Sequence, residues 1–141
     1  MRSISEGQTV NVQFFDRQDS RGPHNGELVT DPHTLFAWLA ETRGRPPFFL
    51  ELLADNGYKL LVGVSDTLGC AQYSARDGSP PYMMVTEGDM ESKDKYMVFL
   101  TANTDTPVPL QFCLPMATIR EAMSDFIATG QMSTRVAWEE L

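Results

Sequence analysis

Over residues 9–15, TVNVQFF, apolar side chains fall on alternate positions, Val10, Val12 and Phe14, which is the period of a half-buried strand. The next stretch, DRQDSRGPHNGELVT, is polar and full of turn residues, so residues 16–30 are read as a loop or mobile hairpin tip. The period then becomes helical: Asp31 suits an N-cap, Pro32 the first helical position, and Leu35, Phe36, Trp38 and Leu39 form one stripe. Gly44 and the Pro46-Pro47 pair end it, and a first helix is predicted over 31–43. From residue 48 to 102 the strand period returns in FFLELLA, GYKLLVGVS, LGCAQYSA, PYMMVTE and KYMVFLTA. The clearest divider is Asp55-Asn56-Gly57, where Asn and Gly accept the positive φ of a tight hairpin. An antiparallel meander of about five strands is expected.

After TANTDTPVPLQF, to which no element is assigned, LPMATIREAMSDFIATG gives the strongest helical signal. Pro115 opens it, Met116, Ile119, Ala122, Met123, Phe126 and Ile127 share a stripe, and Gly130 closes it with a positive φ. This predicts a second helix over 115–129. TRVAWEE then suits one more strand, with Val136 and Trp138 facing one way. The fold class expected is α+β: a single domain over 1–141, with a mostly antiparallel sheet of about five to seven strands packed with helices 31–43 and 115–129. A chain of 141 residues with 42% hydrophobic residues has apolar surface for one core and little left for a second.

Charge narrows the class of partner. A net charge of −8 and a pI near 4.6 disfavour direct binding to nucleic acid or to anionic membrane, and favour basic partners. The excess is concentrated in residues 48–115, where nine acids face four bases. Cys70 and Cys113 sit in apolar runs without metal-ligand spacing, which suits reduced, buried thiols. With no signal-peptide pattern and no long apolar span, a cytoplasmic location is expected.

Catalytic chemistry is not written in the pattern. His24 and His33 have no HxxxH, HExxH or HxE partner, and no glycine-rich phosphate loop occurs. An EF-hand fails as well: counting from Asp89, no glycine stands at the sixth position and Leu100 takes the twelfth, where a bidentate Glu is required. No enzyme activity, metal or cofactor is expected. Asp66, Asp77 and Glu87 remain open as carboxylates that a fold brings together for acid–base work.

The C-terminal residues carry a family pattern. Pro115, Arg120, Glu121, Ala122, Phe126, Ala128, Thr129, Gly130, Val136, Trp138 and Glu139, with Gly57, Leu61, Gly63 and Tyr73 upstream, make the chain similar to the Imm-one family of bacterial polymorphic-toxin immunity proteins. The resemblance is strongest over 114–139. Gln131-Met132-Ser133 departs from it where many members carry a Pro before the final strand. It implies a curved, mostly antiparallel sheet and a non-enzymatic role: one-to-one binding of a toxin domain, with deaminases and other nucleic-acid-directed enzymes among the family's targets.

Such targets are basic where they hold phosphates, so an acidic blocker complements them. The expected toxin-binding set is an acidic rim of Asp66, Glu87, Asp89, Glu91 and Asp94, with Tyr73 or Tyr82 as anchor. Pro115, Phe126, Gly130, Trp138 and Glu139 are expected to be structural, Trp138 pinning the terminal strand against Ile119, Met123 and Phe126. The alternatives from the residues alone are a ligand-binding or enzymatic domain using a pocket beside the sheet, and a homo-oligomeric module.

Overall fold

The computed structural model describes residues 10–87 and 95–141. Ten strands lie among the described residues, together with two helices, α1 (Pro32–Ala40) and α2 (Met116–Thr129). The strands are β1 (Val12–Asp16), β2 (Leu28–Val29), β3 (Phe48–Ala54), β4 (Tyr58–Val64), β5 (Leu68–Ala75), β6 (Met83–Thr86), β7 (Tyr96–Thr101), β8 (Thr104–Pro109), β9 (Leu114–Pro115) and β10 (Ala137–Glu140). Seven form one continuous path in the order β10-β6-β5-β4-β3-β1-β2, all antiparallel. The class is α+β, as expected.

Period-two alternation assigns each strand two faces. Val12, Phe14, Leu50, Leu52, Leu60, Val62, Ala71, Tyr73 and Val85 join Leu35 and the α2 stripe in one core. The intervening residues, Phe49, Cys70 and Met84 among them, point to the other side and meet Phe99, Val108, Phe112 and Cys113 in a second cluster. Both helices therefore cover one face. The β7–β8 hairpin and the 3-10 turn at Leu110–Phe112 partly cover the other.

Local chemistry explains the helix limits. The Asp31 carboxylate accepts from the Thr34 N–H at 2.9 Å, and α1 ends at Ala40 rather than 43, its last residues continuing as turns through Arg45. In α2 all six predicted stripe residues are buried, and Gly130 takes φ +71° with its N–H bonded to the Phe126 carbonyl. Pro115 belongs to β9, immediately before α2, which pairs with Leu68 and Gly69 of β5.

Three sequence expectations change. KYMVFLT does not extend the meander: β7 pairs antiparallel with β8 and meets β3 in parallel at Phe48 and Leu100. The outer side of β6 is taken by β10 instead. TDTPVP is a strand, its prolines tolerated because among the described residues β8 pairs only with β7. Its turn uses Ala102 and Asn103 at φ +50° and +66°, held by the Gln18 amide, which bonds both the Asn103 N–H at 2.7 Å and its side-chain oxygen at 2.6 Å.

Residues 16–30, read as a loop or mobile tip, form a bonded hairpin connection. The Asp16 carboxylate accepts from the N–H groups of Gln18 and Asp19, and Asn25 Oδ1 accepts from the Asp16 N–H at 2.6 Å. His24 stacks on Trp38 at 4.3 Å and meets Glu41 at 3.0 Å, tying this connection to α1. Among the described residues no helix is long and apolar enough to cross a membrane.

Candidate functional site

The sheet face turned away from the helices carries a cross-strand row set by register: Phe15, Glu51, Leu61, Gln72, Met84 and Glu139 on β1, β3, β4, β5, β6 and β10. Because the β7–β8 hairpin covers only part of this face, a groove of about 630 Å3 remains between them. Its apolar wall is Phe49, Leu61, Met84, Val108 and Phe112; its polar members include Arg17, Glu51, Gln72, Thr101 and Thr106.

Glu51 is the electrostatic centre of the groove. It is 9% exposed and lies in the middle of an apolar strand, yet it is ion-paired: Arg17 Nε donates to Oε1 at 2.7 Å and Lys59 Nζ to Oε2 at 3.1 Å. Burial pushes its carboxyl upward, but the hydrogen bonds and charges of Arg17 and Lys59 outweigh this, so the group is held below its ordinary range. It stays an anion bound to two cations. An anion held that way is not poised to give up or accept a proton near neutral pH.

The Cys70 thiol, also on this face, is pushed well up by burial and by Cys113. Cys113 itself is pushed up to about 11 by burial. Both thiols are free and buried, so neither supplies a thiolate nucleophile at neutral pH. The groove is thus equipped to hold an apolar group beside a fixed ion triad.

Of the residues expected at the interface, Asp66, Tyr73, Tyr82 and Glu87 are among those described. Asp66 is exposed in the β4–β5 turn, and Glu87 is exposed just after β6. Since β6 runs antiparallel to β5, both lie at the same end of the sheet. Tyr82 lies toward the other end, half-buried, its hydroxyl donating to the Gly78 carbonyl at 2.5 Å. Asp89, Glu91 and Asp94 lie outside the described residues.

Tyr73, the other expected anchor, is 7% exposed and packs edge-on to Phe126 and Trp138. Its hydroxyl donates to the Gly130 carbonyl at 3.2 Å, and burial, with Tyr58 nearby, pushes its pKa up to about 12. Asn56 of the β3–β4 turn donates to the same carbonyl at 2.9 Å. Tyr73 and Gly130 therefore lock the end of α2 to the sheet.

Trp138 is half-buried against the helix-side core, and its indole N–H donates to the Ser133 carbonyl at 2.9 Å. Glu139 and Glu140 are exposed. The nearby Arg135 binds Asp125, at 2.9 Å, and Glu121 instead.

Sequence reasoning offered a pocket beside the sheet only as an alternative and did not identify the walls of this groove. Its one available signal was Glu51, an acid inside FFLELLA, with Lys59 just across the Asp55-Asn56-Gly57 turn. The hairpin register puts the two on the same face. The hairpin that walls the groove was hidden by the prolines of β8.

A family model described as Immunity protein Imm1 matches residues 9–140, nearly the whole chain. Among curated proteins none matches the chain significantly.

Proposed function

Because the chain belongs to the Imm1 immunity protein family, we propose that it binds a cognate toxin domain one-to-one in the cytoplasm and occludes that toxin's active-site region. The observation that carries this reading is the family match over residues 9–140. The target class we assign is a basic, nucleic-acid-directed enzyme such as a deaminase. Enzymes of that kind hold phosphates in cationic clefts, and a protein of net charge −8 is drawn to such a surface.

Two parts of the molecule divide the work. Asp66 and Glu87, at one end of the sheet, and the acids Asp89, Glu91 and Asp94 in the sequence beyond them steer encounter. The groove on the open sheet face accepts an apolar group of the toxin, supplying the desolvated contact that carries most binding energy.

The test is recovery of the cognate toxin by co-purification, followed by a titration of its activity with this protein and with Leu61→Arg and Gln72→Arg. Both positions line the groove and are partly exposed, so the variants are expected to fold. Inhibition saturating at one equivalent, with affinity falling about 30-fold or more in either variant, is the expected result. A toxin that is bound but left fully active removes occlusion, and unchanged affinity in both variants removes the groove as its seat.

A further inference from the structure

A second cavity, of about 290 Å3, opens on the helix side of the sheet between α1, the β4–β5 turn and the first turns of α2. Its floor is apolar, with Phe36, Leu39, Phe48, Val64 and Met116. Its rim gathers Arg43, Arg45 and Arg120, against Asp66 alone among the acids that line it. In a chain of net charge −8, a cavity ringed by three guanidinium groups and one carboxylate inverts the sign of the surface around it.

The three arginines are not equivalent. Arg45 is fixed, Nη1 binding Asp16 Oδ2 at 2.8 Å while the guanidinium lies 3.8 Å from the centre of the Phe48 ring. Arg43 and Arg120 have no carboxylate partner among the described residues, and the Arg120 guanidinium stands 5.8 Å from the centre of the Phe36 ring. Elsewhere Arg17 and Lys59 share Glu51 and Arg135 binds Asp125, while Arg76 donates to the Ala54 carbonyl. Two unneutralised guanidinium groups therefore face the same opening as a third whose charge Asp16 already balances.

Guanidinium groups present planar pairs of N–H donors that match carboxylate and phosphate oxygens, and an anion among them relieves their mutual repulsion. The apolar floor selects what is attached to that anion. A cavity of this size, at the small end of ligand pockets, admits one ring or a short chain.

We propose that this cavity binds a small organic anion, a phosphate monoester or carboxylate attached to a flat apolar body. Arg43 and Arg120 take the anionic group, Arg45 completes the field, and the body rests on Phe36, Phe48 and Met116. The site is distinct from the groove, which lies across the sheet, but it shares Asp66 with the acidic end proposed to steer the toxin.

The experiment is an NMR titration of the full chain with phenyl phosphate, benzoate, inorganic phosphate and phenol, following the methyl signals of Val64 and Met116. Saturable shifts with phenyl phosphate or benzoate are expected, with inorganic phosphate and phenol binding at least about tenfold more weakly. Arg43→Ala and Arg120→Ala are each expected to weaken binding roughly fivefold or more, while Asp66→Asn strengthens it. Both arginines are exposed, and thermal melting confirms that the variants fold. The proposal is overturned by the absence of saturable shifts, by inorganic phosphate binding as well as phenyl phosphate, or by binding that survives loss of both arginines.

Discussion

Gly69→Ala tests how closely α2 is seated on the sheet. Gly69 lies in β5 on the helix side, and a Cβ added there meets the Gly63 carbonyl oxygen of β4 at 2.5 Å, Met116 Sδ at 2.5 Å and Ile119 Cγ1 at 3.4 Å. The methionine has room to swing, but the carbonyl belongs to a strand paired on both sides and cannot move without disturbing the ladder. Overpacking of this kind costs about 1–3 kcal/mol. Lifting the first turn of α2 also uncovers part of Met116 and Ile119, now 7% and 0% exposed, which adds about 1 kcal/mol. Against this, alanine restricts the unfolded chain and returns about 0.4–1 kcal/mol.

The net expectation is a loss of about 2 kcal/mol, or about 7 °C in Tm for a chain of this length. Urea unfolding followed by circular dichroism, with calorimetry for Tm, measures it. Gly63→Ala is the comparison: its Cβ meets Phe99 ring carbons at 2.7 Å and Cys70 Sγ at 2.8 Å, side-chain atoms on the opposite face. Its damage is expected to be smaller and confined to the β7–β8 hairpin, read by hydrogen exchange there. A Gly69→Ala protein as stable as the wild type refutes the close seating of α2.

The remaining predictions concern the polar ties. Glu51→Gln is expected to cost about 1–3 kcal/mol at neutral pH, because it breaks a partly buried ion triad. The folded-state pKa of Glu51 is depressed, so the stabilisation is complete above the unfolded value near 4.5 and is lost as pH falls through the folded value. A difference between the two proteins that stays constant from neutral pH into strong acid contradicts the assignment. Tyr73→Phe removes one donor to the Gly130 carbonyl, leaving Asn56 in place, and is expected to cost about 1 kcal/mol without impairing toxin inhibition. Impaired inhibition in a stably folded Tyr73→Phe protein places that residue at the interface instead. Trp138→Ala is expected to cost about 2 kcal/mol and to raise hydrogen exchange in β10 and β6 before the rest of the sheet; uniform loss of protection refutes its role as a local pin.

The elements legible in the sequence were those whose signals are local. The Asp31 cap, the six-residue stripe of α2, the Gly130 stop and the Asp55-Asn56-Gly57 turn each act over a few residues, and each is found where the periodicity placed it. Along β3, β4 and β5 the two-residue repeat of an extended chain sets which side chains share a face, but both faces of β3 are buried, so the apolar pattern there does not say which face is which. The family pattern was legible for the same reason, since most of its residues sit in α2 and β10.

What the tertiary structure decided is which segment lies beside which. Nothing within KYMVFLT distinguishes pairing with β6 from pairing with β8, and the prolines of TDTPVP argue against a strand until β8 is known to lie on an edge. Tyr73 reads equally well as an exposed anchor or a core ring. Its burial depends on Phe126 and Trp138, more than fifty residues away. The groove and the arginine-rimmed cavity are likewise assembled from separate strands, turns and helices. Pairing and cavities are set by competition among distant segments for the same edges and faces, and a local pattern contains one competitor at a time.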